Sequence, residues 1–375
     1  MISFRIGNTL LALAGFLSIT VYIAKLLMLD QIVSICFALS IACVLLFYIF
    51  KVLKKRSIKL SDIFLFSITG FTVFAPGLSL SFDYYKPAII AICTAICIDV
   101  SPENYITKST KQAILIFMVF AAVLTNWMYY FGGLSTKYYG STFSVTLNFA
   151  NPNETGMWLA FFSIILANGV IEQDTTFKKL ILIASCASLF PILLRTQSRA
   201  SLIAVLFYLC FRVLSFFVHI RKLPTWIVAL IAFAPAIVYS FYMYLFIPNL
   251  DFFSEYLSFL VSEGKSLTSR VAIWEVFQSD FAQCALFGQY DIYRNAQMHN
   301  SFCTLSGMFG VPWVIIIFLK FVFAQKKFTS ALPQVSLCSV WLIGCFETSF
   351  WGGVGGLYLM LMLLPVIGCP SQENM

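Results

Sequence analysis

The chain has 375 residues, of which 60% are hydrophobic and only 11% charged, with a mean hydropathy of +0.90. Soluble domains carry about 25% charged residues, so an ordinary globular protein is excluded. A formal charge of +8 would suggest nucleic acid as the partner of a soluble protein; here the basic residues fall mostly in short loops between apolar runs, so membrane topology accounts for them and no nucleic-acid partner is expected.

Apolar runs predict about twelve membrane spans, at 8–28, 31–50, 61–80, 85–99, 112–131, 154–171, 179–194, 200–217, 225–247, 300–320, 332–346 and 352–368. The first follows Arg5 without a clear small-residue cleavage site, which reads as an uncleaved span rather than a signal peptide. The 85–99 and 332–346 segments are short enough to be tilted or partly re-entrant. The sixth opens on Asn151-Pro152-Asn153-Glu154, with Asn at the N-cap, Pro at the first helical position and Glu at the third, the pattern of a capping box. That helix would turn its positive end to the outer side.

Between the ninth and tenth segments, residues 248–298 form the one long polar interval. The amphipathic, aromatic run Leu250 to Leu260 suits a helix lying on the membrane interface. A second helix is predicted to start near Ser266 or Thr268 and to run through Trp274 to about Phe281, with Gly288 as a turn. The fold class expected is therefore an all-α polytopic membrane protein, a single domain over 1–375 with one large, partly helical outer loop.

Lysine and arginine orient the chain. With the N-terminus in the cytoplasm, inner loops hold 16 of the 24 basic residues, among them Lys51, Lys54, Lys55, Arg56 and Lys59. Lys25 lies in the first span, and seven stay outside: Lys86, Lys137, Arg195, Arg199, Lys265, Arg270 and Arg294. The eleven cysteines sit mostly inside apolar segments and form no CxxC pair, which argues against a disulfide framework and against a zinc site.

Each outer charged residue has an ordinary explanation. Arg195 and Arg199, four apart, would share a helical face, where like charges repel. A bound anion relieves this, because guanidinium makes two-point contacts with phosphate; snorkelling to lipid headgroups is the alternative. Lys86 has Asp83 as a nearby ion-pair partner, and Arg270 has Glu275. His299 is one of two histidines, the other being His219 in a basic inner loop. At the head of the tenth span it is either a polar cap or a base, since a helix N-terminus disfavours imidazolium. Their co-location is the stronger signal. Lys86, Arg195, Arg199, Arg270 and His299 come from separate regions that the topology brings to one side. Permanent positive charge at a lipid interface, with one neutral base, suits a lipid-linked pyrophosphate donor. No Asp-rich metal motif or Gly-rich phosphate loop is present, so neither metal nor nucleotide cofactor is expected.

At this point the sequence resembles the O-antigen ligase and O-antigen polymerase superfamily of bacterial envelope glycosyltransferases. Four places carry the resemblance: Thr196-Gln197-Ser198-Arg199-Ala200-Ser201-Leu202 at a span start, Asn151-Pro152-Asn153 before another, Leu267-Thr268-Ser269-Arg270-Val271-Ala272-Ile273-Trp274 in the large loop, and His299-Asn300 with nine intervening residues before Gly310. Their order matches the family from about Lys86 to Gly310; Val311-Pro312-Trp313 departs from it, where members more often carry small or aliphatic residues and a second glycine. The resemblance implies an inverting, metal-independent transferase of the C-type membrane glycosyltransferase fold, in the bacterial inner membrane with its site facing the periplasm. Its donor would be a glycan on undecaprenyl pyrophosphate. Arg199, Arg270 and Lys86 would hold the pyrophosphate, with Arg195 added from helical spacing. His299 would orient or deprotonate the acceptor hydroxyl, supported by Asn151, Asn153 and Asn300.

Two acceptors are open. A polymerase moves the growing chain onto an incoming lipid-linked repeat unit, with a chain-length regulator as its protein partner; a ligase moves finished glycan onto lipid A-core. The Asn-Pro-Asn entry and the compact ends favour polymerase. A transporter of lipid-linked oligosaccharide is the alternative of a different class. It would place charge near the bilayer midplane, whereas these spans look nearly free of charge there.

Overall fold

A computed structural model describes residues 2–99, 107–132, 136–139, 142–149, 151–171, 173–218, 220–249, 265–296 and 298–347. Among the described residues the protein is all-α apart from one short hairpin. The first five helices are α1 (Ile2–Leu26), α2 (Asp30–Lys55), α3 (Leu60–Phe74), α4 (Phe82–Ile98) and α5 (Lys108–Phe131). A β-hairpin, β1 (Thr136–Tyr139) with β2 (Thr142–Val145), pairs Thr136 with Val145 and was not anticipated. Then come α6 (Pro152–Ile171), α7 (Thr176–Thr196), α8 (Arg199–Phe217) and α9 (Thr225–Ser240), the last extended by a π-helical turn to Phe246 and a 3₁₀ turn to Asn249. The chain continues with α10 (Lys265–Cys284), α11 (Tyr290–Tyr293), α12 (Ser301–Phe309), α13 (Val311–Gln325) and α14 (Ala331–Trp341), closed by a 3₁₀ turn, Leu342–Cys345.

Among the described residues six helical stretches are long and apolar enough to cross a membrane, and three shorter apolar helices accompany them. Surface chemistry points the same way. On α5, Ile116, Phe120, Val123, Trp127 and Tyr130 recur at helical spacing and are each at least half exposed. That stripe runs about 21 Å along the helix, far more apolar surface than water tolerates on one face. α6 is the opposite case: all but four of its 20 residues are buried, as expected for a helix that is apolar all round. Several polar groups pair between helices. Asn168 of α6 donates to Ser336 Oγ at 2.8 Å and accepts from Tyr208 at 2.7 Å; Trp313 donates to Thr69 Oγ1 at 3.0 Å. Such bonds hold helices together where lipid removes the hydrophobic drive.

Helices occupy eleven of the twelve expected segments, and the twelfth, 352–368, lies outside the described residues, as does the expected interfacial helix from Leu250 to Leu260. The tenth segment is not one helix. Gly310, at φ +89°, separates α12 from α13. Into this break the α10–α11 linker docks by backbone bonds: Val311 N–H to Ala285 O at 2.8 Å and Gln289 N–H to Gly307 O at 2.6 Å.

Lys320, the last residue of the tenth expected segment, is well inside α13 and 5% exposed. It bonds Asp62 of α3 and lies 3.0 Å from Asp99, which also takes Lys59 at 2.7 Å. Four charges thus meet near the start of α3 and the end of α4, not halfway along them. In a low-dielectric interior such charges are retained only when mutually paired.

Candidate functional site

The residues singled out in the sequence fall into separate corners, away from these four charges. At the head of α6, Asn151 Oδ1 accepts from Glu154 N–H at 2.8 Å, so the N-cap forms. The reciprocal half of the capping box does not: the Glu154 carboxylate, 3% exposed, takes Lys25 from the last turn of α1 instead. Burial inside the bundle makes an ammonium partner worth more to a carboxylate than one backbone N–H. Lys25 also sits 5.8 Å over the Phe149 ring, and Asn148 donates to Leu26 O at 3.0 Å, which ties this corner to α1. Asn153 is half-buried next to the cap.

Arg195 and Arg199 do not share a helical face. α7 ends at Thr196, Gln197 turns at φ +57°, Ser198 is extended, and Arg199 is the first residue of α8. Both arginines are exposed at this tight turn. The turn rests on α6: a Cβ added at Gly156 would meet Ser198 Cβ at 2.4 Å and Thr196 Oγ1 at 3.0 Å. The early part of α6, a few residues after the Asn-Pro-Asn entry, is therefore in close contact with the Ser-Arg segment.

His299 stands just before α12 with φ +50°, a left-handed conformation costing an L-residue roughly 1–2 kcal/mol. Asn300 holds it there. Fully buried, it accepts from Phe302 N–H at 2.8 Å and Cys303 N–H at 3.2 Å as the N-cap of α12, and donates to Pro235 O at 2.9 Å and Cys345 O at 3.0 Å. Pro235 lies well inside the continuous helical stretch Thr225–Asn249, so the histidine is recessed along that stretch rather than set at its end. The His299 side chain is 27% exposed, while its Nδ1 is buried without a hydrogen-bond partner among the described residues. The nearby carboxylate is Glu347, with Oε2 3.6 Å away.

Lys86 belongs to a third corner. It lies over the Phe37 ring of α2 at 5.3 Å, and the anticipated pair with Asp83 does not form. Two residues earlier, Tyr84 receives the α10–α11 region: Tyr290 donates to its carbonyl at 2.5 Å, and the Arg294 guanidinium stacks on its ring at 4.7 Å, 3.5 Å from Asp291. Burial pushes the Tyr290 phenol well above its ordinary pKa, so it remains a donor. Arg270 is on α10, as expected, but its side chain lies outside the described residues, so no pairing with Glu275 is assigned.

α4 packs on α2, α3 and α13, whereas α8 packs on α6, α7, α14 and the Leu342–Cys345 turn. Lys86 and Arg199 thus stand on different helix groups. Packing links the His299 corner to the α8 side, since that 3₁₀ turn also meets α9 and α12, and α12 meets α11. Glu347 is the residue that escapes the sequence reading, although it has a signal, an acid at the end of an apolar run, where a charge is costly and functional by default. Arg294 is counted there among the outer cations but is given no role. Comparison with family models, with curated proteins and with solved structures gives no match.

Proposed function

We propose that this chain is a polytopic glycosyltransferase of the O-antigen polymerase kind, with twelve spans of the C-type plan. In this reading it resides in the bacterial inner membrane with the His299 corner and the 248–298 loop facing the periplasm. The observation that carries the reading is His299 itself: a strained histidine, anchored by Asn300, with Nδ1 buried but the side chain 27% exposed, in a corner whose 3₁₀ turn packs on α8, the helix that begins with Arg199. Arg199 and Arg270, with Lys86 from the α4 side and Arg195 at the rim, hold the donor's undecaprenyl pyrophosphate and stabilise its departure. His299 takes the proton of the acceptor sugar hydroxyl, whose oxygen attacks the anomeric carbon with inversion. The acceptor is a lipid-linked repeat unit, and chain length answers to a separate regulator.

Deletion of the gene and complementation test the assignment. A polymerase deletion leaves lipopolysaccharide capped by one repeat unit. A core with no O-units would make the protein a ligase acting on lipid A-core, and an unchanged profile would refute both. Within the site, Arg199→Lys keeps the charge but loses the planar fork, at about 1.5–3 kcal/mol per charged hydrogen bond lost. Polymer output is expected to fall roughly 10- to 100-fold. Full output from this variant would remove Arg199 from the pyrophosphate site.

A further inference from the structure

His299 and Glu347 ride on the same structural knot. Asn300 Nδ2 donates to Cys345 O at 3.0 Å, and Ser301 Oγ donates to Glu347 O at 3.3 Å. Glu347 N–H in turn donates to Ile343 O at 3.0 Å, closing the 3₁₀ turn. The two residues that follow the imidazole are therefore bonded to the segment that delivers the carboxylate. Within this frame Glu347 Oε2 lies 3.6 Å from His299 Nδ1, and the Glu347 side chain is only 8% exposed. That separation is a few tenths of an ångström beyond hydrogen-bond range, and catalytic bonds commonly tighten when substrate arrives. Nδ1 has no other acceptor among the described residues, although it is buried. A buried ring nitrogen facing a buried carboxylate oxygen is chemically asymmetric: only one tautomer, Nδ1–H, satisfies both.

We propose that Glu347 is a positioning residue that accepts the Nδ1–H of His299 and so leaves Nε2 as the proton acceptor. Its catalytic consequence rests on the glycosyl-transfer reading; the tautomer itself does not. In that reaction the acceptor hydroxyl gives its proton to Nε2 as its oxygen bonds the anomeric carbon. The bond from that carbon to the pyrophosphate oxygen breaks, and its electron pair leaves on the phosphate. Glu347 then faces an imidazolium, which its negative charge stabilises.

The chain contains only two histidines, so ¹⁵N-histidine labelling of the full-length protein in lipid gives two imidazole signals. A His219→Gln sample assigns them. The wild-type His299 signal is expected to report Nδ1–H with an unprotonated Nε2. Glu347→Leu is expected to release the ring to the opposite tautomer and to lower kcat by about 100-fold or more, with KM for the lipid-linked donor unchanged. Glu347→Gln, which keeps a neutral acceptor and the shape, guards against a folding failure: it is expected to retain the Nδ1–H tautomer while kcat drops about 10-fold. An Nε2–H tautomer in the wild type, or wild-type kcat from Glu347→Gln, overturns the proposal. An Nδ1–H signal lost in Glu347→Leu, from a wild-type protein that transfers no sugar, supports the pairing and refutes the glycosyl-transfer reading instead.

Discussion

Replacing His299 with alanine is expected to abolish polymer formation while the protein inserts and folds as before. The fold does not depend on the imidazole. The bonds that shape this corner belong to Asn300 and Ser301, and the backbone at φ +50° is held by the Asn300 cap rather than by the ring. Alanine in that conformation adds at most a few tenths of a kcal/mol to a strain already present, because histidine tolerates it only somewhat better. The chemistry does depend on the ring. A positioned general base contributes about 10²- to 10⁴-fold, equivalent to roughly 3–5 kcal/mol of barrier, and no other histidine lies within this part of the chain. The measurement is a lipopolysaccharide ladder from cells expressing the variant at wild-type level. Only the single-unit band should remain. A full ladder would show that His299 is a polar cap and nothing more.

Gly310→Ala is expected to cause the largest loss of stability among the loop-side substitutions. A Cβ at this position would stand 2.3 Å from Leu286 O, 2.6 Å from Leu286 C and 2.9 Å from Phe287 N, and the residue adopts φ +89°. All three neighbours are backbone atoms, so no rotamer change relieves the clash. The linker must back away, which breaks the Val311–Ala285 and Gln289–Gly307 bonds and separates α10 and α11 from the α12–α13 break. The cost is expected at about 3 kcal/mol or more, lowering the melting midpoint by roughly 6 °C or more. Gly70→Ala is the control. It lies inside α3 with nothing within 4 Å of the added methyl, and a helical alanine is worth about 0.5–1 kcal/mol over glycine there. Thermal denaturation followed by size exclusion in detergent separates the two. Equal midpoints would show that the linker does not bear on the break.

The helices were legible because apolar runs of membrane length leave few other structures available. The Asn151 cap and the helix through Trp274 were legible for local reasons, since caps and turns act within four residues. The candidate site is readable in the sequence only as a set of residue types expected on one side. Arg195 and Arg199 looked like one helical face because nothing in their spacing reveals that Gln197 turns left-handed; Ser198, a good N-cap type, was the available hint. Glu154 was assigned to its own cap because its partner Lys25 is 129 residues away. The same holds for Lys320 with Asp62, 258 residues apart, and for Glu347 with His299. Pairing over such distances is set by how helices pack, which a pattern of residues does not encode directly. Gly310 was noticed only as the end of a motif, although a glycine between two apolar runs is also where backbones approach closely.

The central claim is transfer between lipid-linked substrates, and purified protein in vesicles tests it most directly. With an undecaprenyl-pyrophosphate-linked repeat unit as the only glycan, the wild-type chain should convert it to a ladder of longer lipid-linked products and release one undecaprenyl pyrophosphate per bond formed. The His299→Ala protein in the same vesicles should yield neither. A substrate that stays a single unit with the wild-type protein, or that merely changes leaflet, would contradict the account.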